Sequence, residues 1–282
     1  MSLSVLTLVK NRDDHLANLV EGLRRSSRPP DELIIVDMSD RPVEGPETDF
    51  PSRVVRLETD GLPLAQARNL AAAHAGGDHL LFLDVDCIPM RTLPCLMDVA
   101  LCASDALICA EVLYLGAGDV GPGWSEAGLL GNGRPHPVRT FPRTGLRPEA
   151  NAGLFWSLAF GLRRKTFAAL GGFDERFTGY GAEDTDFGFR ARDAGVPLLF
   201  MGGAGAFHQH HGVLDPPLQH FDDILANART FHRLWGFWPM TGWLTAFERL
   251  GLVSLDDQRL VRLRAPTGAE IEAARKPPSA PF

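Results

Sequence analysis

Three clusters of acidic and imidazole side chains follow apolar stretches of this chain. Asp84-Val85-Asp86 comes directly after the apolar run 79–83, and further along stand Glu183-Asp184-Thr185-Asp186 and His208-Gln209-His210-His211. An Asp-x-Asp at the end of a buried strand places carboxylates at the rim of a sheet, where they can hold a divalent cation and, through it, a diphosphate. A second acidic cluster can supply a general base, and an imidazole can complete the metal shell. The three clusters indicate a metal-dependent enzyme that acts on a nucleotide-activated substrate.

The two acidic clusters also have purely structural interpretations. Asp84 and Asp86 could close a turn at the end of a strand, because Asp side chains bond their own backbone there. Glu183 and Asp184 could cap a helix, since carboxylates in a first turn satisfy free N–H groups and suit the helix dipole. The catalytic interpretation therefore depends on the order and setting of all three clusters together.

The elements that must position these side chains alternate along the first part of the chain. The apolar runs 3–9, 33–36, 54–55 and 80–83 predict strands, and the spacing in 16–23 and 64–74 predicts helices. Strands joined in this way form a parallel sheet covered on both faces, and such sheets bind ligands at the carboxyl ends of their strands. The residues at predicted carboxyl ends are Lys10, Asn11, Arg12, Asp37, Asp84 and Asp86.

Composition and charge narrow the class of protein. The chain is 45% hydrophobic and 22% charged, as in soluble globular proteins, and its net charge of −7 argues against nucleic-acid binding, which needs a basic face. No basic leader precedes the first predicted strand, and no apolar run approaches the length of a membrane span. The cysteines lack the C-x-x-C spacing of zinc sites, so we expect reduced core thiols and a cytoplasmic protein.

The order of the motifs resembles that of one enzyme family. Lys10-Asn11-Arg12 is followed by VDMSD, QARN and FLDVD, and then by GGFDERFTGYGAEDTDFGFRARDAG and FHQHH. These motifs resemble the family 2 glycosyltransferases of the GT-A fold. The later half is most similar to their galactosyltransferase and N-acetylgalactosaminyltransferase branch, including chondroitin-polymerase-type domains. The resemblance implies an α/β fold with a Rossmann-like, mixed and mostly parallel sheet flanked by helices.

The resemblance covers residues 2–215 and suggests how the chain is divided. Residues 1–215 would form the GT-A domain, with a nucleotide-binding half at 1–110 and an acceptor and catalytic half at 150–215. Residues 216–264 would add a helical C-terminal extension, and 265–282 a disordered tail rich in Pro, Ala and charge. The Gly- and Pro-rich connection 115–151 is either a substrate-covering loop or a surface excursion.

The resemblance also implies roles for individual residues. Asp184 takes the position of the catalytic base, and Asp86 and His208 take those of metal ligands, with Asp84 as a weaker candidate. His210 is the other weaker candidate, because it would share a face with His208 if this segment is extended. The nucleotide sugar would contact Lys10, Asn11, Arg12, Asp37, Arg68, Asp84 and Asp86. The acceptor would contact Glu183, Asp186, Tyr180 and Trp156. Tyr180 stands where related enzymes carry Trp, Trp156 also suits a plain core position, and His211 is expected to face solvent.

The implied activity moves a hexose or N-acetylhexosamine from a UDP-sugar to a saccharide or lipid-linked acceptor, with Mn²⁺ or Mg²⁺, in polysaccharide biosynthesis. One base and one leaving-group metal imply direct displacement with inversion. A nucleotidyltransferase on a similar sheet is an alternative, although residues 10–14 lack glycine and carry acids. A nucleotide-sugar-binding protein without turnover is another. The aromatic residues at 231–247 either pack a helix pair or contact a partner subunit or membrane surface.

Overall fold

A mixed sheet of ten strands organises the chain, of which the computed structural model describes residues 1–277. Its strands, with a separate hairpin at the end, are β1 (Leu3–Val9), β2 (Glu32–Asp37), β3 (Ser52–Arg56), β4 (His79–Leu83), β5 (Cys87–Pro89), β6 (Leu107–Tyr114), β7 (Arg134–Pro135), β8 (Gly145–Pro148), β9 (Ala159–Arg163), β10 (Leu198–His208), β11 (Val253–Leu255) and β12 (Leu260–Arg262). The helices are α1 (Asp13–Arg24), α2 (Leu64–His74), α3 (Leu93–Ala103), α4 (Glu126–Asn132), α5 (Arg164–Ala169), α6 (Glu183–Asp193), α7 (Phe221–Trp235), α8 (Thr241–Arg249) and α9 (Gly268–Ala273).

The order of strands brings distant parts of the chain to one rim. The sheet runs β3-β2-β1-β4-β9-β6-β10-β5, with β7 beside β6 and β8 beside β10. Strands β1 to β4 are parallel to one another and to β6 and β10, whereas β9 and β5 are antiparallel to their neighbours. The mixed, mostly parallel sheet flanked by helices confirms the predicted fold class.

Helices cover both faces of this sheet. Every residue of β1 and β4 is buried, which suits the continuous apolar runs of strands packed on two sides. On one face the apolar stripe of α1, with Leu19 and Leu23, packs with Met97 of α3. On the other face α2 and α6 pack through alanines and phenylalanines, and Phe82 stacks on Phe160 with ring centroids 4.6 Å apart. The sheet is thus fixed on both sides, and its rim has a rigid support.

The C-terminal part contains the predicted helices and, beyond that prediction, a hairpin. Helices α7 and α8 are followed by β11 and β12, which pair antiparallel. Phe231 and Phe247 are fully buried, and Trp235 and Phe237 contact Phe189 of α6 at centroid distances of 5.2 and 5.9 Å. The aromatic residues of this segment therefore pack largely against the chain's own core.

The tail predicted to be disordered is ordered in part. Residues 268–273 form α9, because Thr267 and Glu270 form a capping box that satisfies the first backbone N–H groups. The backbone of Asp215 donates to Ala274 at 2.8 Å, which ties the tail to the end of the sheet domain. The composition of the tail obscured this local helix signal, and residues 278–282 lie outside the described part.

Two expectations about the chain as a whole can be compared with the structure. None of the helices within residues 1–277 is long and apolar enough to cross a membrane. The four cysteines are free thiols; Cys87 and Cys109 are buried as expected, but Cys102 is exposed at the end of α3 and is not a core residue.

Candidate active site

The turn after β4 and the end of β10 form the centre of the rim. The backbone N–H of Asp84 donates to Leu158 at 2.7 Å, and that of Cys87 donates back to Asp84 at 2.8 Å, which closes a tight turn around Asp86. Strand β5 then pairs antiparallel with β10, so that Cys87 lies opposite His208. Sheet pairing, rather than proximity in sequence, brings the first acidic cluster to the histidines.

Asp86, His208 and His211 form a group that can hold a metal ion, because one ligand atom of each lies within 4.8 Å of the other two. The Nε2 atom of His211 is 3.5 Å from the Asp86 carboxylate, and the Arg12 guanidinium is 2.6 Å from its other oxygen. Burial, together with the neighbouring His211, lowers the pKa of His208 to about 3. Burial also lowers the pKa of His211. Both imidazoles are therefore neutral, which is the form that binds metals.

The chemistry of this group fits a divalent cation. Burial raises the pKa of Asp84, and the charge of the nearby Asp86 raises it further. Two carboxylates so close together repel each other unless a cation or a proton lies between them. The two neutral imidazoles add nitrogen ligands, so the set matches ions that accept both oxygen and nitrogen.

The histidine segment differs from its predicted register. Strand β10 ends at His208, so the alternation of side chains that favoured His210 as second candidate does not continue beyond it. His210 lines the neighbouring cavity but is not part of the metal-binding group, whereas His211 belongs to it. The expectation that His211 faces solvent is wrong, because the chain turns back towards Asp86 after the strand.

A cavity of about 460 Å³ opens beside this group. It is lined by Asp84, His208 and His210 on the side of the metal-binding group and by Arg68, Trp156, Tyr180, Glu183 and Asp184 elsewhere. The volume suits a small-molecule ligand. Eight of the residues predicted from sequence thus meet in one cavity.

Asp184 is the second residue of α6 and faces this cavity. Its position at a helix start predicts an ionised carboxylate, since the dipole stabilises negative charge there. Burial opposes this and, with the adjacent charge of Glu183, raises the pKa of Asp184 to about 6. A carboxylate with such a pKa is ionised at neutral pH and basic enough to accept a proton.

Arg68 and Glu183 form a buried ion pair at the same cavity. The Arg68 guanidinium is 3.0 Å from Oε1 of Glu183, and both side chains are almost fully buried. No residue within 1–277 forms a hydrogen bond with Oε2 of Glu183. Glu183 therefore positions Arg68 and keeps one acceptor atom free. The neighbouring Asn69 fixes α2 to the turn before α6, because its side-chain amide exchanges two hydrogen bonds with the backbone of Phe173.

The structure corrects the role of Asp186. Its carboxylate accepts from Nε of Arg190 at 2.7 Å and from the indole N–H of Trp235 at 3.0 Å, and the residue is 1% exposed. It does not line the cavity. Asp186 links α6 to α7, and an acceptor could reach it only if these contacts broke.

The structure also corrects the role predicted for Asp37, a contact with the nucleotide. Its carboxylate is buried and accepts from the backbone of Ser39 at 2.8 Å and from Arg56 at 2.9 Å. Burial opposes ionisation, but hydrogen bonds from Ser39 and Val43 outweigh it and hold the pKa of Asp37 below its usual value. This carboxylate orders the loop after β2 and offers no free oxygen to a nucleotide.

The residues that follow β1 lie at the rim but outside the cavity lining. Asn11 adopts a left-handed φ of 54° and exchanges hydrogen bonds with Asp40, which joins the loops after β1 and β2. Lys10 donates to the carbonyl of Gly61 at 2.6 Å, and Arg12 is occupied by Asp86. Their predicted contacts with the nucleotide remain predictions.

Sequence reasoning missed several residues of the cavity. Tyr114 stands at the carboxyl end of β6 and stacks on His208 at 4.9 Å, so the strand-end rule could have found it. His136, in the connection 115–151, packs edge-on against Trp156 at 4.8 Å, and thus part of that connection faces the cavity. Met240 and Trp243 come from the C-terminal segment, where no motif marks them.

Comparison with known proteins agrees with this architecture. The model of the Glycosyl transferase family 2 matches residues 4–167, more than half of the chain, and that of the N-terminal domain of galactosyltransferase matches residues 143–211. Validoxylamine A glucosyltransferase of Streptomyces hygroscopicus subsp. jinggangensis (strain 5008) is 46% identical over 44 residues, which make up 16% of this chain and 10% of that protein.

Solved structures share the fold at low sequence identity. S. aureus TarS 1-349 in complex with UDP-GlcNAc is 15% identical, with a TM-score of 0.55 over 87% of this chain and 76% of that one. GalNAc-T7 with UDP, GalNAc and Mn²⁺ is 17% identical, with a TM-score of 0.53 over 74% of this chain and 43% of that one. The match over residues 4–167, on a sheet whose rim carries the described cavity, shows that the chain belongs to the Glycosyl transferase family 2.

Proposed function

We propose that the protein is an inverting, divalent-metal-dependent enzyme that moves a hexose or N-acetylhexosamine from a UDP-sugar to a hydroxyl group of a saccharide or lipid-linked acceptor. The observation that supports this most is a single cavity with Asp84 and His208 on one side and Asp184 on another. Two proteins of the same fold are described with UDP-GlcNAc and with UDP and Mn²⁺, which supports the choice of nucleotide.

Asp86, His208 and His211 would hold the cation, with Asp84 beside them. A set of carboxylates and imidazoles favours Mn²⁺ over Mg²⁺, because Mg²⁺ prefers oxygen ligands alone. Such a cation, when bound, neutralises the negative charge that develops on the departing diphosphate. Arg12 contacts Asp86 at 2.6 Å and so orients one of the proposed ligands.

Asp184 would act as the general base. Its pKa of about 6 leaves it ionised at neutral pH and basic enough to accept a proton. It would take the proton of the acceptor hydroxyl while that oxygen attacks the anomeric carbon and the bond to the diphosphate breaks. Attack on the side opposite the diphosphate inverts the configuration of that carbon.

The proposal can be tested by nucleotide release. Purified protein is incubated with a saccharide mixture as acceptor and with UDP-glucose, UDP-galactose, UDP-GlcNAc or UDP-GalNAc, each with Mn²⁺, with Mg²⁺ and with EDTA, and free UDP is measured. We expect release from one or two of these donors with Mn²⁺, less with Mg²⁺ and none with EDTA. UDP release that continues in EDTA would contradict the proposed metal dependence.

The alternatives give different products. A nucleotidyltransferase would form pyrophosphate from UTP and a sugar 1-phosphate, and would leave UDP-sugars intact apart from the reverse reaction. A binding protein would be thermally stabilised by UDP with Mn²⁺, by mass action, without releasing UDP from any donor. A strong shift without turnover of any of the four donors, with a saccharide mixture present, would contradict the proposed transfer.

A further inference from the structure

The C-terminal segment supplies one wall of the cavity. Met240 and Trp243 line it, although both lie beyond residue 211, where the second family match ends. The wall is therefore built by a part of the chain that neither family match includes. Substrate preference that differs within a family is expected to reside in such a part, because the shared motifs serve the shared chemistry.

This wall continues onto Tyr180. The Tyr180 ring stacks on His220 with a centroid distance of 4.4 Å and an interplanar angle of 15°, and Trp243 lies 6.0 Å away at 31°. His220 does not line the cavity, so it supports Tyr180 from behind. Tyr180, Met240 and Trp243 together form a surface that we call the aromatic wall.

The C-terminal segment also holds the loop that carries Tyr180. The side-chain amide of Asn227 donates to the carbonyl of Gly181 at 2.9 Å and accepts from the N–H of Thr178 at 3.1 Å. Ala182 and Met240 keep positive φ angles of 72° and 50°, which is strained for residues with a Cβ. Two strained residues that line one cavity indicate a shape set for a ligand rather than for stability.

The charges around the cavity restrict the ligand. Among its described lining residues Arg68 is the one arginine or lysine, and it is already paired with Glu183. Asp84 and Asp184 add carboxylates, and none of the described residues donates to the buried Oε2 of Glu183. Hydroxyl groups can donate to the oxygens of Asp184 and Glu183, whereas an anionic group on the acceptor, away from the proposed cation, would meet repulsion there.

We propose that the aromatic wall is the acceptor site and that it selects a polyhydroxylated six-membered ring without negative charge. The C–H face of such a ring packs on Tyr180 and Trp243, while its hydroxyls donate to Asp184 and Glu183. Sugars that carry a carboxylate or phosphate on this ring are rejected. The inference rests on the proposed glycosyl transfer and names the class of its acceptor.

Binding of matched probes tests the inference without requiring turnover. Methyl β-D-glucopyranoside and methyl β-D-glucuronide differ by one carboxylate on the same ring, and their binding is measured by ligand-observed NMR with UDP and Mg²⁺ present. We expect the glucoside to bind at least about tenfold more tightly than the glucuronide. Equal or tighter binding of the glucuronide would overturn the proposed charge selection.

Two tryptophans of the C-terminal segment provide a matched pair of variants. Trp243→Ala should weaken glucoside binding about tenfold, since it removes one aromatic face of the wall. Trp238→Ala should leave binding unchanged, because Trp238 stacks on His232 and does not line the cavity. Trp243→Phe, which keeps a flat ring, should retain most of the affinity for the glucoside. Retained affinity in this variant would show that the loss in Trp243→Ala is not caused by misfolding.

The outcomes separate this inference from the proposed function. If wild-type protein releases UDP but Trp243→Ala binds the glucoside as tightly as wild type, the aromatic wall is wrong and the glycosyl transfer stands. If the wild-type protein releases UDP from no donor, the glycosyl transfer fails, and the acceptor site fails with it.

Discussion

Asp84/Asp86 and Asp184/Asp186 share one sequence pattern but stand on different backbones. The first pair lies in the turn between β4 and β5, and both side chains belong to the site. Asp84 lines the cavity, and Asp86 is part of the metal-binding group. The second pair lies in the first turn of α6, where residues two apart point about 200° away from each other. Asp184 therefore faces the cavity, while Asp186 points to Arg190 and Trp235.

The surroundings of the second pair divide its roles further. Asp186 has two strong donors and is fully enclosed, so it is a structural anchor. Asp184 lies against the cavity beside another carboxylate, and its pKa rises to about 6. Two identical side chains on one helix turn thus have different surroundings, and those of Asp184 favour a base. The comparison predicts large catalytic effects at Asp184 and Asp86 and a purely structural effect at Asp186.

Asp184→Asn should give the largest effect. Asn keeps the size of the side chain but cannot accept the proton, so transfer should fall by about two to four orders of magnitude. Donor affinity, measured by calorimetry with UDP and Mn²⁺, should change little. If Asp184→Asn transfers normally while Glu183→Gln does not, the base is Glu183; if both remain active, the acidic turn has no catalytic role.

Asp86→Ala should abolish most of the metal-linked binding of UDP. Removing a carboxylate from the metal-binding group should lower the Mn²⁺-dependent affinity by about 10- to 100-fold or more, since even outer contacts of metal sites contribute that much. Calorimetric titration of UDP with and without Mn²⁺ measures the loss. Asp13→Ala removes an exposed carboxylate near the same rim and should change nothing. An unchanged titration for Asp86→Ala would exclude this residue from the metal site.

The pH dependence of transfer tests the pKa of Asp184 directly. Below its pKa the carboxylate is protonated and cannot act as a base, so kcat/KM should fall about tenfold per pH unit below about pH 6 and level off above it. Asp186→Asn should keep this acidic limb, because Asp186 is not in the cavity. A limb near the ordinary Asp value of 3.8 would show that burial does not perturb Asp184 in the working enzyme.

The histidines after β10 allow a finer test. His211→Ala should weaken Mn²⁺ binding about tenfold, as should His208→Ala, because each removes an imidazole from the metal-binding group. His210→Ala is the matched control and should leave Mn²⁺ affinity unchanged. If His210→Ala weakens Mn²⁺ binding and His211→Ala does not, the segment is extended beyond His208, as the sequence suggested.

Much of the fold and part of the site follow from the sequence, for identifiable reasons. The continuous apolar runs of β1 and β4 require burial on both faces, and their carboxyl ends locate Asp84 and Asp86. The acidic residues from Glu183 onward, which suit the positive end of a helix dipole, locate the start of α6. Helical periodicity counted from that start places Asp186 on the opposite side of the helix from Asp184. The prediction of an acceptor contact for Asp186 overlooked this periodicity.

Other features depend on tertiary contacts that no local pattern records. His211 reaches Asp86 because the chain turns after β10, and nothing in the four residues from His208 to His211 specifies that turn. Trp243 reaches the cavity because α8 packs beside Tyr180, which requires the whole C-terminal segment to fold back. The raised pKa of Asp184 likewise depends on burial, whereas its helix position alone indicates the opposite shift.

Asp186→Asn should have the smallest effect on activity and a clear effect on stability. An amide oxygen can accept from Arg190 or Trp235, but the NH₂ group cannot replace the second acceptor, so one half-buried donor loses its partner. We expect the free energy of unfolding to fall by about 1–3 kcal/mol, measured by urea denaturation. Asp193→Asn, at an exposed pair on the same helix, should change it by less than about 1 kcal/mol. Transfer by the folded Asp186→Asn protein should match wild type; a large loss of transfer with unchanged stability would return Asp186 to the acceptor site.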